Sequence, residues 1–135
     1  MGKLEVILLD THVVAWLARE PQKLSRGAAR AIRQASNNAA GIAISCITLF
    51  ELAHLVQRGR IRTVLPLDDY LQDIESRFVV LPLTGAVAAR SVQLPVSYPN
   101  DPMDRIIGAT ALVESLPLVT ADTEIQNSNA VKTIW

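Results

Sequence analysis

The stretch EVILLDTHVVAWLARE, residues 5 to 20, decides the fold. Its first part, EVILLD (5–10), is a short apolar run with β-branched residues, which is typical of a strand. Its last part, VVAWLARE (13–20), is compatible with a helix. A strand that passes straight into a helix begins a strand–helix–strand unit, and such units build parallel sheets. The stretch therefore predicts an α/β fold.

The same alternation continues along the chain. Further strands are predicted at GIAIS (41–45), FVVLPL (78–83), LVT (118–120) and VKTIW (131–135). Further helices are predicted at 25–36, 48–58, 67–76, 84–92 and 102–115. We therefore expect a central, mostly parallel five-stranded sheet with helices around it. The last strand follows the polar segment NSNA (127–130), so it could pair at a sheet edge in either direction.

Length and composition fit one domain spanning residues 1–135. Half of the residues are hydrophobic but only 4% are aromatic, so the core must consist of Val, Leu, Ile and Ala. Thirteen basic residues balance thirteen acidic ones, which excludes a global basic field and makes any contact with nucleic acid local. Cys46 is the only cysteine, and the apolar start before Asp10 is too short for a signal peptide or membrane span, so we expect a cytoplasmic protein.

Four acids fall where predicted strands pass into helices or turns. Asp10 ends the first strand, and Glu51 lies near the start of the helix after the second. Asp104 begins the longest helix, and Asp122 follows the fourth strand by two residues. Because the carboxyl ends of parallel strands share one edge of a sheet, where α/β folds bind ligands, we expect these acids to meet there.

Each acid also has a purely structural explanation. Thr48 with Glu51 matches a capping box, Asp101 with Pro102 and Asp104 matches a helix start, and Asp10 and Asp122 could form a cap and a turn. A cap requires one acid per helix end, however, and gives no reason to bring four carboxylates together. Their mutual repulsion exceeds the roughly 0.3 to 1 kcal/mol that a helix N-terminus contributes.

A divalent cation would offset this repulsion. Oxygen ligands select Mg²⁺ or Mn²⁺, which keep several waters and leave positions for phosphate oxygens. Such a site is suited to hydrolysis of a phosphodiester. In NDPMDR (100–105), Asp101 is then interpreted as the helix cap and Asp104 as the metal ligand.

The segments around these acids resemble the PIN-domain ribonucleases, and more narrowly the VapC toxins of bacterial toxin–antitoxin pairs. The resemblance rests on LLDTH, SCITLFEL, NDPMDRIIGATAL and LPLVTAD, with a closing IW, and it covers nearly the whole chain. It implies a three-layer α/β/α domain and an endoribonuclease that depends on Mg²⁺ or Mn²⁺. It also implies homodimerisation and a small antitoxin that lies across the active-site groove.

The resemblance further implies a role for each acid. Asp10 and Asp104 would be the strongest metal ligands, Glu51 a ligand or the residue that orients water, and Asp122 a ligand, directly or through water. Hydroxyl groups of Thr120 and Thr11 would support the site. The chain departs from the family where relatives carry His-x-Asp-Pro, because the segment here is SYPNDPMDR, with Asn100 before Asp101 and no histidine.

Several interpretations stay open at this stage. His12 could touch substrate or simply pack on the first helix, and His54 could be a ligand in Glu-x-x-His or a structural residue. Arg105 is expected to pair with a neighbouring acid. A receiver domain does not fit, because FVVLPL ends without a phosphoacceptor aspartate. The alternative function is a catalytically inactive PIN-like module that acts only in complex with an antitoxin.

Overall fold

The computed structural model describes residues 6–37 and 41–135, so Glu5 of the first predicted strand lies outside the described residues. Its sheet has five short strands in the order β3-β2-β1-β4-β5, and every neighbouring pair is parallel. The strands are β1 (Ile7–Leu9), β2 (Ile42–Ser45), β3 (Val79–Leu81), β4 (Leu118–Val119) and β5 (Thr133–Ile134). The last strand therefore runs parallel at the edge beside β4, which settles the direction that the sequence left open.

Seven α-helices occur in the described ranges. They are α1 (Thr11–Arg19), α2 (Arg26–Ser36), α3 (Cys46–Gln57), α4 (Leu67–Arg77), α5 (Gly85–Gln93), α6 (Pro102–Glu114) and α7 (Thr123–Ser128). Sequence patterns predicted six of these, and α7 was missed. Within the same ranges, no helix combines the length and apolar character needed to cross a membrane.

The capping box considered for Thr48 and Glu51 does not form. Helix α3 begins two residues earlier, because the Ser45 side chain at the end of β2 accepts a hydrogen bond from the N–H of Ile47 (3.1 Å). Thr48 therefore lies inside the first turn and Glu51 inside the second. This removes the structural explanation for the carboxylate of Glu51.

Helices cover both faces of the sheet, so the domain has the three layers that the resemblance implied. Alternate residues of β1 point to opposite faces: Ile7 and Leu9 pack into one core and Leu8 into the other. The first core is completed by α1 to α4, and the second by residues of α6 and α7. Both faces of β1 are buried, which explains its uninterrupted apolar sequence.

The strand order places a topological switch point between β1 and β4. From β1 the chain moves outward to β2 and β3, whereas from β4 it moves the other way to β5. A crevice forms beyond the carboxyl ends of strands at such a point, and this is where open α/β sheets bind ligands. Asp10 directly follows β1 and Thr120 directly follows β4, so both lie at this crevice.

Gly108 of α6 packs directly against the fully buried ring of Tyr98. A Cβ at position 108 would lie 2.6 Å from Cζ of Tyr98 and closer still to its hydroxyl. Because the ring cannot move into solvent, we expect Gly108→Ala to lower the free energy of unfolding by about 2 to 3 kcal/mol in urea denaturation. Gly85→Ala is the matched control. Apart from its chain neighbours and the backbone of its own helix, no atom lies within 4 Å of that Cβ, so we expect unchanged or slightly higher stability. Equal losses in the two variants would contradict the packing argument.

Candidate active site

Asp10 occupies the crevice between β1 and β4. The residue is 3% exposed, and its carboxylate accepts two hydrogen bonds, from the backbone N–H of Thr11 to Oδ1 (2.9 Å) and from the hydroxyl of Thr120 to Oδ2 (2.7 Å). The first bond caps α1, so the structural explanation of Asp10 holds. The second bond joins residues 110 positions apart and does not serve a helix. Asp10 thus has a fixed orientation at the switch point.

Thr11 and Thr48 hold Glu51 beside Asp10. The hydroxyl of Thr11 donates to Oε1 of Glu51 (2.5 Å) and lies 3.0 Å from the hydroxyl of Thr48. A hydroxyl has one proton, so Thr48 must be the donor to Thr11. This chain of hydroxyls orients the carboxylate. Burial is the main cause that raises the pKa of Glu51; the Thr11 hydrogen bond opposes the rise, and the charges of Asp10 and Asp101 add to it.

Asp101 and Asp104 divide the two roles that the sequence suggested. Oδ1 of Asp101 accepts from the N–H groups of Met103 (2.8 Å) and Asp104 (3.3 Å), so Asp101 caps α6. Asp104 lies one turn into the helix and is half-buried. Its pKa is raised from 3.8 to about 7, first by burial and then by the charges of four acids. These acids, in decreasing order of effect, are Asp10, Asp101, Glu51 and Asp122.

Asp122 is joined to Asp10 through one hydroxyl. The N–H of Asp122 donates to Oγ1 of Thr120 (3.1 Å), and the same hydroxyl donates to Asp10. Oδ1 of Asp122 accepts from the N–H groups of Glu124 (2.8 Å) and Ile125 (3.2 Å), so it caps α7. The turn expected at this position is therefore the start of a helix. The structure brings all four predicted acids into one electrostatic neighbourhood, with Thr120 and Thr11 between them.

Tyr98 and Arg105 support the site and were not predicted to do so. The buried hydroxyl of Tyr98 donates to the backbone carbonyl of Asp104 (3.0 Å). Its pKa is raised by burial first and then by the nearby charges of Asp10, Asp104 and Asp122. We expected Arg105 to pair with an acid, but its guanidinium donates to four backbone carbonyls between positions 91 and 98 (3.1 to 3.4 Å). These bonds hold the end of α5 and the segment that follows it against α6.

The two histidines occupy different environments. Nε2 of His12 accepts a hydrogen bond from the backbone N–H of Ala121 (3.1 Å), and its ring packs on Trp16 with centroids 4.9 Å apart. His54 is exposed, and its ring contacts Phe50. From the sequence, a structural role was the favoured interpretation of both histidines. A cavity of about 910 Å³ lies between α1 and α4, and none of the four acids lines it.

The sequence profile described as PIN domain matches residues 7–130, which is most of the chain. The chain belongs to the PIN-domain family. A protein described as Ribonuclease VapC22, from Mycobacterium tuberculosis, is 38% identical over 131 residues, covering 96% of this chain and 98% of that protein.

Solved structures share the fold of this PIN domain. A chain of a toxin–antitoxin complex from Klebsiella pneumoniae is 25% identical with a TM-score of 0.62, and the match covers 88% of each chain. A chain of DNA-bound VapBC from Salmonella typhimurium is 21% identical with a TM-score of 0.70, and that match covers 96% of each chain. The parallel sheet and its flanking helices are thus those of PIN domains.

The donor set of the PIN domain fits a hard, hydrated divalent ion. In residues 6–37 and 41–135, no three His, Cys, Asp or Glu side chains converge closely enough to surround a metal by themselves. Zn²⁺ and Ca²⁺ sites need such convergence, whereas Mg²⁺ keeps several waters and is held directly by one or two carboxylates. Four acids that together raise the pKa of Asp104 supply the negative potential such an ion requires. Carboxylate oxygens of this kind are compatible with a hydrated Mg²⁺ or Mn²⁺ that one or two of the acids contact directly.

The raised pKa of Asp104 predicts how the metal-free PIN domain responds to pH. Between its ordinary pKa of 3.8 and its folded value of about 7, the folded chain holds a proton that the unfolded chain has released. Stability is therefore lost as pH rises through this window. We expect Asp104→Asn to raise the free energy of unfolding in EDTA at about pH 8 by about 1 to 2 kcal/mol, after allowance for solvent screening.

Urea denaturation at about pH 5 and about pH 8 checks this prediction. The difference between Asp104→Asn and the wild type should narrow at the lower pH, where the wild-type carboxyl is protonated in the folded state. A variant that is less stable than the wild type at about pH 8 would show that Asp104 is not strained by its neighbours.

Proposed function

We propose that the chain is a metal-dependent endoribonuclease and the toxin of a toxin–antitoxin pair. The observation that carries the proposal is the raised pKa of Asp104, to which Asp10, Glu51 and Asp122 all contribute. Carboxylates gathered in a crevice repel one another and lower the stability of the fold unless a bound cation compensates their charge. Such clusters are therefore typical of functional sites. The likeness to a protein described as a ribonuclease supports RNA as the substrate.

The residues of the proposed site would have different roles. Asp10 and Asp104 would hold Mg²⁺ or Mn²⁺ directly, and Asp122 would hold it directly or through water. When bound, the ion lowers the pKa of coordinated water and stabilises negative charge on the scissile phosphate. Thr120 keeps the carboxylate of Asp10 oriented, because its hydroxyl donates to Oδ2.

Glu51 is suited to accept a proton from the attacking water, although a role as a metal ligand is also compatible with its position. Its raised pKa makes it a better base than an exposed glutamate. The hydroxyl of Thr11 fixes one of its oxygens and leaves the other for water. The hydrogen bonds from Thr48 to Thr11 and from Thr11 to Glu51 position this base.

A protein partner is the second part of the proposal. The solved complex from Klebsiella pneumoniae is described as a toxin–antitoxin complex, and this chain covers most of the matched chain. We propose that a small cognate antitoxin lies across the acidic crevice and blocks it, and that the toxin, a single domain over residues 1–135, forms a homodimer in the cytoplasm. An inactive PIN-like module is less well supported, because all four acids are present and electrostatically coupled.

Cleavage of purified RNA with Mn²⁺, Mg²⁺ or EDTA tests the proposed activity. We expect cleavage with either ion and none in EDTA, with activity restored when excess Mn²⁺ follows the chelator. Sequencing of the RNA ends would then identify the sites cut. Cleavage that persists in EDTA would remove the metal mechanism. A protein that binds its antitoxin but cuts no RNA under any of these conditions would favour the inactive module.

A further inference from the structure

His12 connects the two strand ends that carry the acidic site. It is the second residue of α1, two positions after Asp10, and its Nε2 accepts the N–H of Ala121 (3.1 Å). Ala121 lies between Thr120, which donates to Asp10, and Asp122, which caps α7. The hydrogen bond therefore ties the start of α1 to the turn that follows β4.

The hydrogen bond assigns the tautomer of His12. Nε2 accepts a hydrogen bond from the N–H of Ala121 and so cannot carry a proton of its own, which places the proton of the neutral ring on Nδ1. Nδ1 lies 3.7 Å from Oδ2 of Asp10, beyond hydrogen-bonding length but with its N–H dipole near the carboxylate. Neither nitrogen has a free lone pair in this arrangement, so His12 is not placed to bind a metal.

The ring of His12 is also held by aromatic packing. Trp16, one turn further along α1, packs against it with centroids 4.9 Å apart, and Trp135 packs against Trp16 at 6.1 Å. The side chain of His12 is one-third exposed, yet one nitrogen and one ring face are engaged. Because the ring is held on both sides, it fixes the position of the turn at residues 120–122 relative to α1.

The geometry points to His12 as a positioning residue that fixes the 120–122 turn, and with it Asp122, relative to Asp10. The consequence for metal affinity rests on the proposed nuclease site. If Asp122 is displaced, the acids still attract a divalent ion but no longer hold it or its waters in a defined arrangement. Residues that orient ligands in this way typically contribute 10- to 100-fold in metal affinity.

Two substitutions separate the hydrogen bond from the ring packing. His12→Gln places an amide oxygen near the position of Nε2, so it can still accept from Ala121. His12→Phe keeps an aromatic ring on Trp16 but removes the acceptor. His54→Phe is the matched control, because His54 is exposed and contacts Phe50 rather than the acids.

The first measurements use metal-free protein labelled with ¹⁵N. We expect the long-range ¹⁵N–¹H spectrum at about pH 8 to show His12 protonated at Nδ1 and not at Nε2. Hydrogen exchange of the Ala121 amide should be slow in the wild type and in His12→Gln, and faster by about tenfold or more in His12→Phe. An Nε2-protonated ring, or an Ala121 amide that exchanges equally in all three proteins, overturns the inference.

The second measurement is the dissociation constant for Mn²⁺ by titration calorimetry. We expect His12→Phe to bind about tenfold more weakly, His12→Gln within about threefold of the wild type, and His54→Phe unchanged. Equal affinity of His12→Phe and the wild type overturns the positioning role. If His12→Phe does not fold, the wild-type tautomer and the behaviour of His12→Gln decide. If the wild type binds no Mn²⁺, the proposed nuclease function fails, and the exchange data alone decide whether His12 positions the turn.

Discussion

Replacement of Asp104 by Asn is expected to slow Mn²⁺-dependent RNA cleavage by at least about 1,000-fold, which is about 4 kcal/mol in transition-state free energy. The amide has nearly the shape of the carboxylate but lacks its charge, so it cannot hold a divalent ion with comparable strength. The fold should persist, because Asp104 is half-buried and its neighbours are other acids rather than cations. Initial rates on a labelled RNA with Mn²⁺ in excess provide the measurement.

Asp101→Asn is the matched control for this experiment. Asp101 lies three residues before Asp104 and also contributes charge to it, but its side chain caps α6. Asn caps a helix about as well as Asp, so activity should stay within about threefold of the wild type. If both substitutions abolish cleavage, charge at the start of α6 matters in general and Asp104 has no special role. If neither does, Asp104 is not a metal ligand.

The Asp104→Asn substitution is expected to change stability and activity in opposite directions. Metal-free Asp104→Asn gains stability at about pH 8 because it removes a carboxylate whose pKa is raised by burial and by like charges. If Asp104 served only the fold, its replacement would lower the free energy of unfolding of the protein. Opposite effects on stability and activity are expected at a residue that is needed for catalysis but destabilises the metal-free fold.

The sequence was sufficient to predict the sheet, and it singled out four acids that the structure places within electrostatic reach of one another. Parallel strands bring their carboxyl ends to one edge, so Asp10 and Asp122 were expected to share that edge, and the pairing of β1 with β4 makes their strands neighbours. Glu51 and Asp104 followed from their positions at the starts of helices. The cap at Asp101 was also predicted correctly, because Asp-Pro at a helix start is a local signal.

Other features could not be predicted from local patterns. Helix α7 has six residues, too few for an apolar period to be visible, although Asp122 followed by Glu124 was a capping signal. The start of α3 was misplaced because Ser45 belongs to both the strand and the cap. These errors concern boundaries, where two short elements compete for the same residues.

Contacts across the fold form a second class that the sequence did not reveal. Arg105 donates to backbone carbonyls, His12 accepts from a residue 109 positions away, and Tyr98 packs on Gly108. Backbone carbonyls and amides carry no sequence identity, so a side chain that binds them leaves no paired residue to recognise. Such contacts support the acids here, which is why sequence patterns found the acids and missed what holds them.

Asp10→Asn is expected to be as inactive as Asp104→Asn, with a loss of at least about 1,000-fold in the cleavage rate. Asp10 differs from Asp104 because it also has a structural role, as the cap of α1 and the acceptor for Thr120. Asn keeps an oxygen for the cap, and the hydroxyl of Thr120 can rotate to accept from the amide. The variant should therefore fold, with a melting temperature within a few degrees of the wild type.

Asp10→Ala separates the two roles of this residue. Ala and Asn both remove the charge, so the difference between them reports only the lost cap and the lost partner of Thr120. We expect Asp10→Ala to be less stable than Asp10→Asn by about 1 to 3 kcal/mol, because the buried Thr120 hydroxyl loses its acceptor. Urea denaturation gives the difference, and cleavage assays on both variants give the activity. An active, stable Asp10→Asn protein would mean that Asp10 serves only the helix, and the proposed metal site would then lack its central carboxylate.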